Sequence, residues 1–274
     1  SSETNTLKVL AKPNLANFSV ALDYPGYTGR KDEVLNNLGD LVLPEGTYVK
    51  WNFNTLNTED VSLKFNSGKG TETAEQKGDD AFAFKKRILN NDFYKVFIAN
   101  SNVPQGDSVS YSLNVIKDQF PVINVEQFVD SLEKSIVFFV GSASDDYWLN
   151  SLTFNYNVTK ANGSQSPLQT IKLNDPKSRE IQYEHTFDIR ALELKPGENV
   201  SYYFEIKDND AVNGSKSAKT GIMSFEKPSI EELKEIEDLN EEAIKDNLNE
   251  SLKNMEKLRE NYRKMREKLL QEKE

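Results

Sequence analysis

The run Val109-Ser110-Tyr111-Ser112-Leu113-Asn114-Val115 alternates bulky and small polar side chains at every step. A period of two puts one set on a core and the other in water, the mark of a half-buried antiparallel strand. The same alternation precedes it in Phe18-Ser19-Val20-Ala21-Leu22, Val49-Lys50-Trp51-Asn52-Phe53, Val61-Ser62-Leu63-Lys64-Phe65, Phe82-Ala83-Phe84 and Tyr94-Lys95-Val96-Phe97-Ile98. Turn chemistry separates the runs at Tyr24-Pro25-Gly26, Leu43-Pro44-Glu45-Gly46, Asn66-Ser67-Gly68 and Val103-Pro104-Gln105-Gly106. About seven short strands in roughly 110 residues predict a β-sandwich of immunoglobulin type.

The pattern then starts again. Val122 to Val125, Ile136 to Val140, Leu152 to Val158, Leu168 to Leu173, Ile181 to Ile189, Val200 to Ile206 and Lys219 to Phe225 form a second set of seven. Within it, Leu194-Lys195-Pro196-Gly197 leads into Val200-Ser201-Tyr202-Tyr203-Phe204. This is the pattern of a corner between the fifth and sixth strands of such sandwiches, where a Tyr hydroxyl bonds back to the preceding loop. Lys117-Asp118-Gln119-Phe120-Pro121 separates the two sets, because Pro is rare inside a central strand. The predicted domains are residues 1–118 and 119–227, two tandem immunoglobulin/fibronectin-like sandwiches.

Past Lys227 the period changes. Ser229 with Glu232 three residues on makes a capping box, and neither Gly nor Pro follows. Apolar residues then recur at steps of three and four, with Leu248, Leu252, Met255, Leu258, Tyr262, Met265 and Leu269 on one face. Residues 228–274 are therefore predicted to be a charged amphipathic helix, coiled-coil-like in its later part, with Asn240 and Asn247 as candidate breaks. Ser229 to Glu250 holds nine acids and two bases, Ser251 to Glu274 five acids and eight bases, an order that suits the helix macrodipole. The seven stripe residues are the predicted interaction site, for a protein partner or for self-association.

The chemistry of the chain excludes more than it offers. With no cysteine there are no disulfides, Cys-ligated zinc, Fe–S clusters or thiol catalysis. His185 is the single histidine, in the strand-like Ile181-Gln182-Tyr183-Glu184-His185-Thr186-Phe187, so it is read as a partly exposed strand residue and not as a catalytic base or metal ligand. No Gly-x-Ser-x-Gly, phosphate loop or dinucleotide fingerprint occurs, and Gly141-Ser142-Ala143-Ser144 reads as a small-residue turn. The net charge is −10, divided as −6 over the first 227 residues and −4 over the last 47. Neither part has the clustered Lys and Arg that phosphate backbones require, so nucleic acid is excluded as a partner. No apolar run approaches the roughly 18 residues of a membrane span. The expectation is a chain with no enzyme activity and no cofactor.

Two acidic loops stand out, Ser144-Asp145-Asp146-Tyr147 and Asp208-Asn209-Asp210-Ala211-Val212-Asn213-Gly214. Carboxylates with backbone carbonyls suit Ca²⁺, and the second loop opens like a helical calcium loop. Val212 then fills its fifth position and no Glu follows at its twelfth, so no bound metal is expected. Were an ion held, Asp208, Asp210, Asp145 and Asp146 would be its ligands. A rival reading, a cell-surface adhesive or glycan-binding module, needs exposed aromatics, and Trp51, Trp148, Tyr147 and Tyr27 are the candidates. Trp51 alternates with Phe53, which assigns it to the core.

Four stretches carry a resemblance: Leu22-Asp23-Tyr24-Pro25-Gly26-Tyr27-Thr28-Gly29-Arg30, Gly39-Asp40-Leu41-Val42-Leu43-Pro44-Glu45-Gly46-Thr47, Ser144-Asp145-Asp146-Tyr147 and Asp208 to Ser217. Together they resemble the large Bacteroidota envelope proteins catalogued as domain-of-unknown-function family 4175, over nearly the whole chain. Members often show Gly after the Asp-Asp-Tyr, where this chain has Trp148, so that turn is expected to differ. The resemblance implies N-terminal membrane helices outside this chain, extracytoplasmic sandwiches and a long helical segment beyond them. It thus implies a periplasmic scaffold or adaptor portion of a longer inner-membrane protein, touching the membrane only through segments outside the chain. No activity comes with it.

Overall fold

The computed structural model describes residues 11–129 and 133–271. Strands dominate up to Glu226, and the two 3-10 segments before it, Gly26–Thr28 and Ile189–Leu192, are each a single short turn. The first half holds β1 (Asn14–Asp23), β2 (Glu33–Asn36), β3 (Leu41–Pro44), β4 (Tyr48–Leu56), β5 (Asp60–Phe65), β6 (Thr71–Thr73), β7 (Glu75–Gly78), β8 (Ala81–Arg87), β9 (Asp92–Asn100) and β10 (Val103–Ile116). They form two facing sheets of order β2-β1-β4-β8-β7 and β3-β10-β9-β5-β6. The period-two runs supply the core between them, with Val20, Val49, Trp51, Val61, Leu63 and Leu43 at 0% exposure. Trp51 donates to the Tyr94 hydroxyl at 2.9 Å, and that hydroxyl donates to the Gly39 carbonyl at 2.9 Å, so the two polar atoms taken into the core are both satisfied.

The second half holds β11 (Val122–Val129), β12 (Ile136–Ser144), β13 (Leu149–Thr159), β14 (Gln169–Asn174), β15 (Glu180–Asp188), β16 (Asn199–Asp208), β17 (Ser217–Lys219) and β18 (Met223–Glu226). Strands β11-β12-β15 make one sheet and β14-β13-β16-β17 the other, with β18 continuing the last edge along β16. This is a fibronectin-like arrangement, with strands one, two and five facing the rest. Phe154, Phe204, Phe139, Tyr202 and Ile206 fill its core at no more than 1% exposure.

Several local expectations are corrected. Leu43-Pro44 belongs to β3, which pairs in parallel with Val115 and Ile116 of β10, and Val103 opens β10 ahead of a register shift. Gly141-Ser142-Ala143-Ser144 is strand, not turn, pairing with Val122 to Val125 and with Glu180 to Tyr183. Gly141 is needed there because the Tyr183 ring crosses it on the way to the Asn124 carbonyl, which its hydroxyl reaches at 2.9 Å. Tyr202 does not bond back to the Leu194–Gly197 loop. Its hydroxyl reaches Gln127 of β11 at 3.4 Å, while the loop is closed by the Gly197 N–H to the Lys227 carbonyl.

The C-terminus is one continuous helix, α1 (Ile230–Gln271), unbroken at Asn240 and Asn247. Its capping box is formed: Glu232 N–H donates to Ser229 Oγ at 3.1 Å and Ser229 N–H to Glu232 Oε2 at 2.8 Å. The coiled-coil-like segment is corrected. A coiled coil needs a second helix to receive its apolar knobs, and α1 is the only α-helix among the described residues. The chain is mainly β with one lone helix. No helix among the described residues is long and apolar enough to cross a membrane.

The Gly141 contact yields a direct test. A Cβ on Gly141 would lie 2.3 Å from Tyr183 Cζ and 2.5 Å from the Asn124 carbonyl oxygen. Gly141→Ala should therefore displace the tyrosine ring and cost about 1–3 kcal/mol in urea denaturation, as overpacking does.

Candidate functional site at the junction of the sandwiches

Between Ile116 and Val122 the chain passes from one sandwich to the other, and the polar residues around that passage form a dense charged cluster. Asp118 comes from the linker, Asp145 and Asp146 from the β12–β13 loop, Asp208 from the end of β16, and Asp210 and Lys216 from the β16–β17 loop. The Lys216 ammonium bonds to Asp118 Oδ2, lies 2.7 Å from Asp210 Oδ2 and 3.8 Å from Asp208 Oδ2, and is itself largely buried. Burial works against that charge, but the bonds and charges of Asp118 and Asp210 outweigh it and push the lysine pKa up. Burial likewise pushes Asp118 and Asp145 up to about 6, with the neighbouring carboxylates adding to the effect. Asp210 is held below its ordinary value: burial opposes this, but Lys216 and the N–H groups of Val212 and Asn213 prevail.

The loop around Asp208 is shaped by its own side chains. Asp208 Oδ1 accepts from the N–H groups of Asp210 and Lys216, and Asp210 Oδ1 from those of Val212 and Asn213, which folds the segment into consecutive Asx turns. The fold brings the first sandwich onto this loop. Asn209 Nδ2 donates to the Tyr27 carbonyl at 3.0 Å, and Asn213 Nδ2 to Glu45 Oε2 at 3.0 Å. Glu45 is 5% exposed and is also held by Lys117 Nζ at 2.7 Å. Tyr27 meets Tyr147 edge to face with centroids 5.0 Å apart. Gly46, at φ 88°, lets Val212 approach so closely that an added Cβ would stand 2.6 Å from its Cγ2.

The four stretches that carry the family resemblance thus meet in one place. Sequence reasoning named Asp145, Asp146, Asp208 and Asp210 but missed Asp118, Lys216 and Glu45. Of the candidate glycan aromatics, Trp51, Tyr27 and Tyr147 are buried, and Trp148, which lies against Gly29, is 41% exposed, so the four supply one exposed ring and not a platform. His185 is half-buried in β15, its ring 4.6 Å from that of Phe154 and 6.0 Å from that of Phe204, with Nε2 unpartnered. On the helix stripe, Leu248, Leu252, Met255 and Leu258 are 51–69% exposed, and the side chains of Tyr262, Met265 and Leu269 lie outside the described residues.

No protein-family model matches the chain, and no curated protein matches it. Among solved structures it is similar to a bacterial ice-binding adhesin, at 11% identity over 66% of this chain and a TM-score of 0.37. The chain spans 58% of that structure's length. It is also similar to a carbohydrate-binding protein of Bacteroides uniformis (12% identity, 62% of this chain and 88% of that one, TM-score 0.26). Fibronectin(III)-like modules of Clostridium thermocellum give 13% identity over 77% of this chain and 95% of theirs, with a TM-score of 0.22. At such scores the superpositions add nothing to the fold read from strand order.

Two outcomes follow from the electrostatics. Lys216→Met removes the one ammonium bonded to both Asp118 and Asp210, and leaving buried charge unmatched should cost about 3–5 kcal/mol in urea denaturation. Burial lowers the His185 pKa below its ordinary 6.5. The unfolded chain then binds a proton that the folded one refuses, so this residue's contribution is full above about pH 6.5 and shrinks as pH falls. Asp118 and Asp145, with raised values, act in the opposite sense. Comparing Tm of the parent with His185→Gln from pH 7.5 to 5.5 isolates the histidine, and the parent should lose more.

Proposed function

We propose that this chain is a non-catalytic binding module: the periplasmic scaffold or adaptor portion of a longer, inner-membrane-anchored envelope protein of the kind it resembles. Its sandwiches are set against each other by the polar junction, and its helix takes a protein partner. The observation that carries the reading is the naked helix. Ile230, Leu233, Leu239, Ile244, Leu248, Leu252, Met255 and Leu258 are all at least 45% exposed on a segment whose other residues, save Ile236, Ala243 and Ser251, are charged or amide. Burying one Leu contributes roughly 1.5–3 kcal/mol, so a stripe of such residues left in water is a strong driving force for association. The absence of an enzyme role is supported by the single, aromatic-packed histidine and by acidic residues committed to Asx turns and to Lys216. The envelope setting rests on the resemblance.

The test compares the full chain with the triple variant Leu248→Ser, Leu252→Ser, Leu258→Ser. Mass by light scattering and crosslinking in native envelope extracts are read alongside far-UV helicity. Association of the parent should weaken at least tenfold in the variant while the β signal stays intact. A parent that stays monomeric and crosslinks to nothing that the variant loses would refute the proposal.

A further inference from the structure

The junction has more negative charge than its own cation can balance. Five carboxylates, from Asp118, Asp145, Asp146, Asp208 and Asp210, face one ammonium, that of Lys216. Arg30 and Arg179 lie near Tyr147, but Lys216 is the cation that acts on Asp118 and Asp145. The ammonium is hydrogen-bonded to Asp118 Oδ2 and Asp210 Oδ2, with Asp208 Oδ2 3.8 Å away. Asp118 Oδ1, Asp145 Oδ1 and Asp208 Oδ2 are left buried with no hydrogen-bond partner. The Asp118 side chain is only 2% exposed and that of Asp208 0%. Buried polar atoms in native proteins are nearly always satisfied, and an unmatched buried carboxylate oxygen calls for a donor or an ion.

The geometry supplies a place for one. A carboxylate oxygen from each of Asp118, Asp145 and Asp146 lies within 4.8 Å of the other two. Oxygens bound to one Ca²⁺ at about 2.3–2.6 Å span separations up to about twice that distance. Asp118 belongs to the linker and the other two to a loop of the second sandwich, so the set is assembled only when the chain has folded across the junction. We propose that Asp118, Asp145 and Asp146 hold a divalent cation, of the oxygen-loving class of Ca²⁺, at the junction of the two sandwiches. This departs from the expectation of no metal, which rested on ligand order inside single loops. The site uses the linker, which that order does not include. Asp146 Oδ1 accepts from the Gln119 N–H at 3.3 Å and Asp145 Oδ2 from the Tyr147 N–H at 3.1 Å, so both loop carboxylates are already oriented before any ion arrives. The ion would cross-link the linker to the second sandwich and complete a charge balance that Lys216 leaves unfinished. The proposal stands apart from what the helix binds.

The test uses the full chain stripped with a chelator, titrated with CaCl₂ and separately with MgCl₂, by calorimetry and thermal melting. One Ca²⁺ per chain is expected, at a dissociation constant of about 10⁻⁴–10⁻³ M, the range of extracellular modules. At saturating Ca²⁺ the Tm should rise by several degrees. Asp118→Asn keeps the side-chain shape and the acceptor facing Lys216, Asp145→Asn keeps the shape and the acceptor facing the Tyr147 N–H, and each should weaken binding at least tenfold. Asp146→Asn, at a carboxylate less buried than that of Asp118, serves if either of these variants fails to fold. Tb³⁺ gives a second readout, because Tyr147 follows Asp146 directly and should sensitise its emission. Asp40→Asn, remote from the junction, should bind as the parent does. Unchanged heat and Tm with both cations would overturn the proposal. So would undiminished binding by the junction variants, which would place the ion elsewhere, such as on the acidic first half of α1.

Discussion

A single buried ammonium, that of Lys216, decides how the two halves of this protein meet. Its charge cannot leave water without partners, and its partners come from two directions, Asp118 on the linker and, on the other side, Asp208 at the end of β16 with Asp210 on the loop that carries the lysine. Satisfying both presses the linker onto the base of the second sandwich. The first sandwich then has one surface to offer that base, formed by Tyr27, Glu45 and Gly46. Apolar contact at the junction is small, a tyrosine pair, the Trp148 ring against Gly29 and the methyl of Val212 over Gly46. Orientation here is fixed by polar satisfaction, unlike the two cores, where buried aromatic and aliphatic side chains do that work.

The strands that face a core were legible because burial imposes a period. Trp51, Tyr94, Phe154 and Tyr202 all stand at alternating positions, and all are buried. The strands that escaped notice have no such period to show. Every residue of Thr71–Thr73 and Glu75–Gly78 is exposed, and Glu33–Asn36 is nearly so, which makes them edge pieces held mostly by backbone bonds. Leu41–Pro44 was masked by a proline that is tolerated because it sits at the end of an edge strand. The small residues from Gly141 to Ser144 looked like a turn, since nothing in their own letters announces that a tyrosine forty-two positions on must cross them.

The junction was half legible for a different reason. Asp208, Asp210, Asp145 and Asp146 attract attention as acidic loops, but each loop alone has too few ligands in the wrong order. Asp118 reads as linker and Lys216 as an ordinary surface lysine until the fold joins segments about a hundred residues apart. The helix was legible in its cap and its stripe, because both are local. Whether the stripe is covered is not local: spacing of three and four is the same for a helix packed on its own domain and for one standing free.

The unbroken geometry of that helix has a consequence for reach. Forty-two residues rising about 1.5 Å each make a rod of about 63 Å. A flexible linker of equal length would hold its ends only about 35 Å apart on average, and would sample every direction. The helix is therefore a ruler: it sets how far from the sandwiches its second half is carried. Because acids crowd one end and bases the other, it is also a ruler with a marked zero.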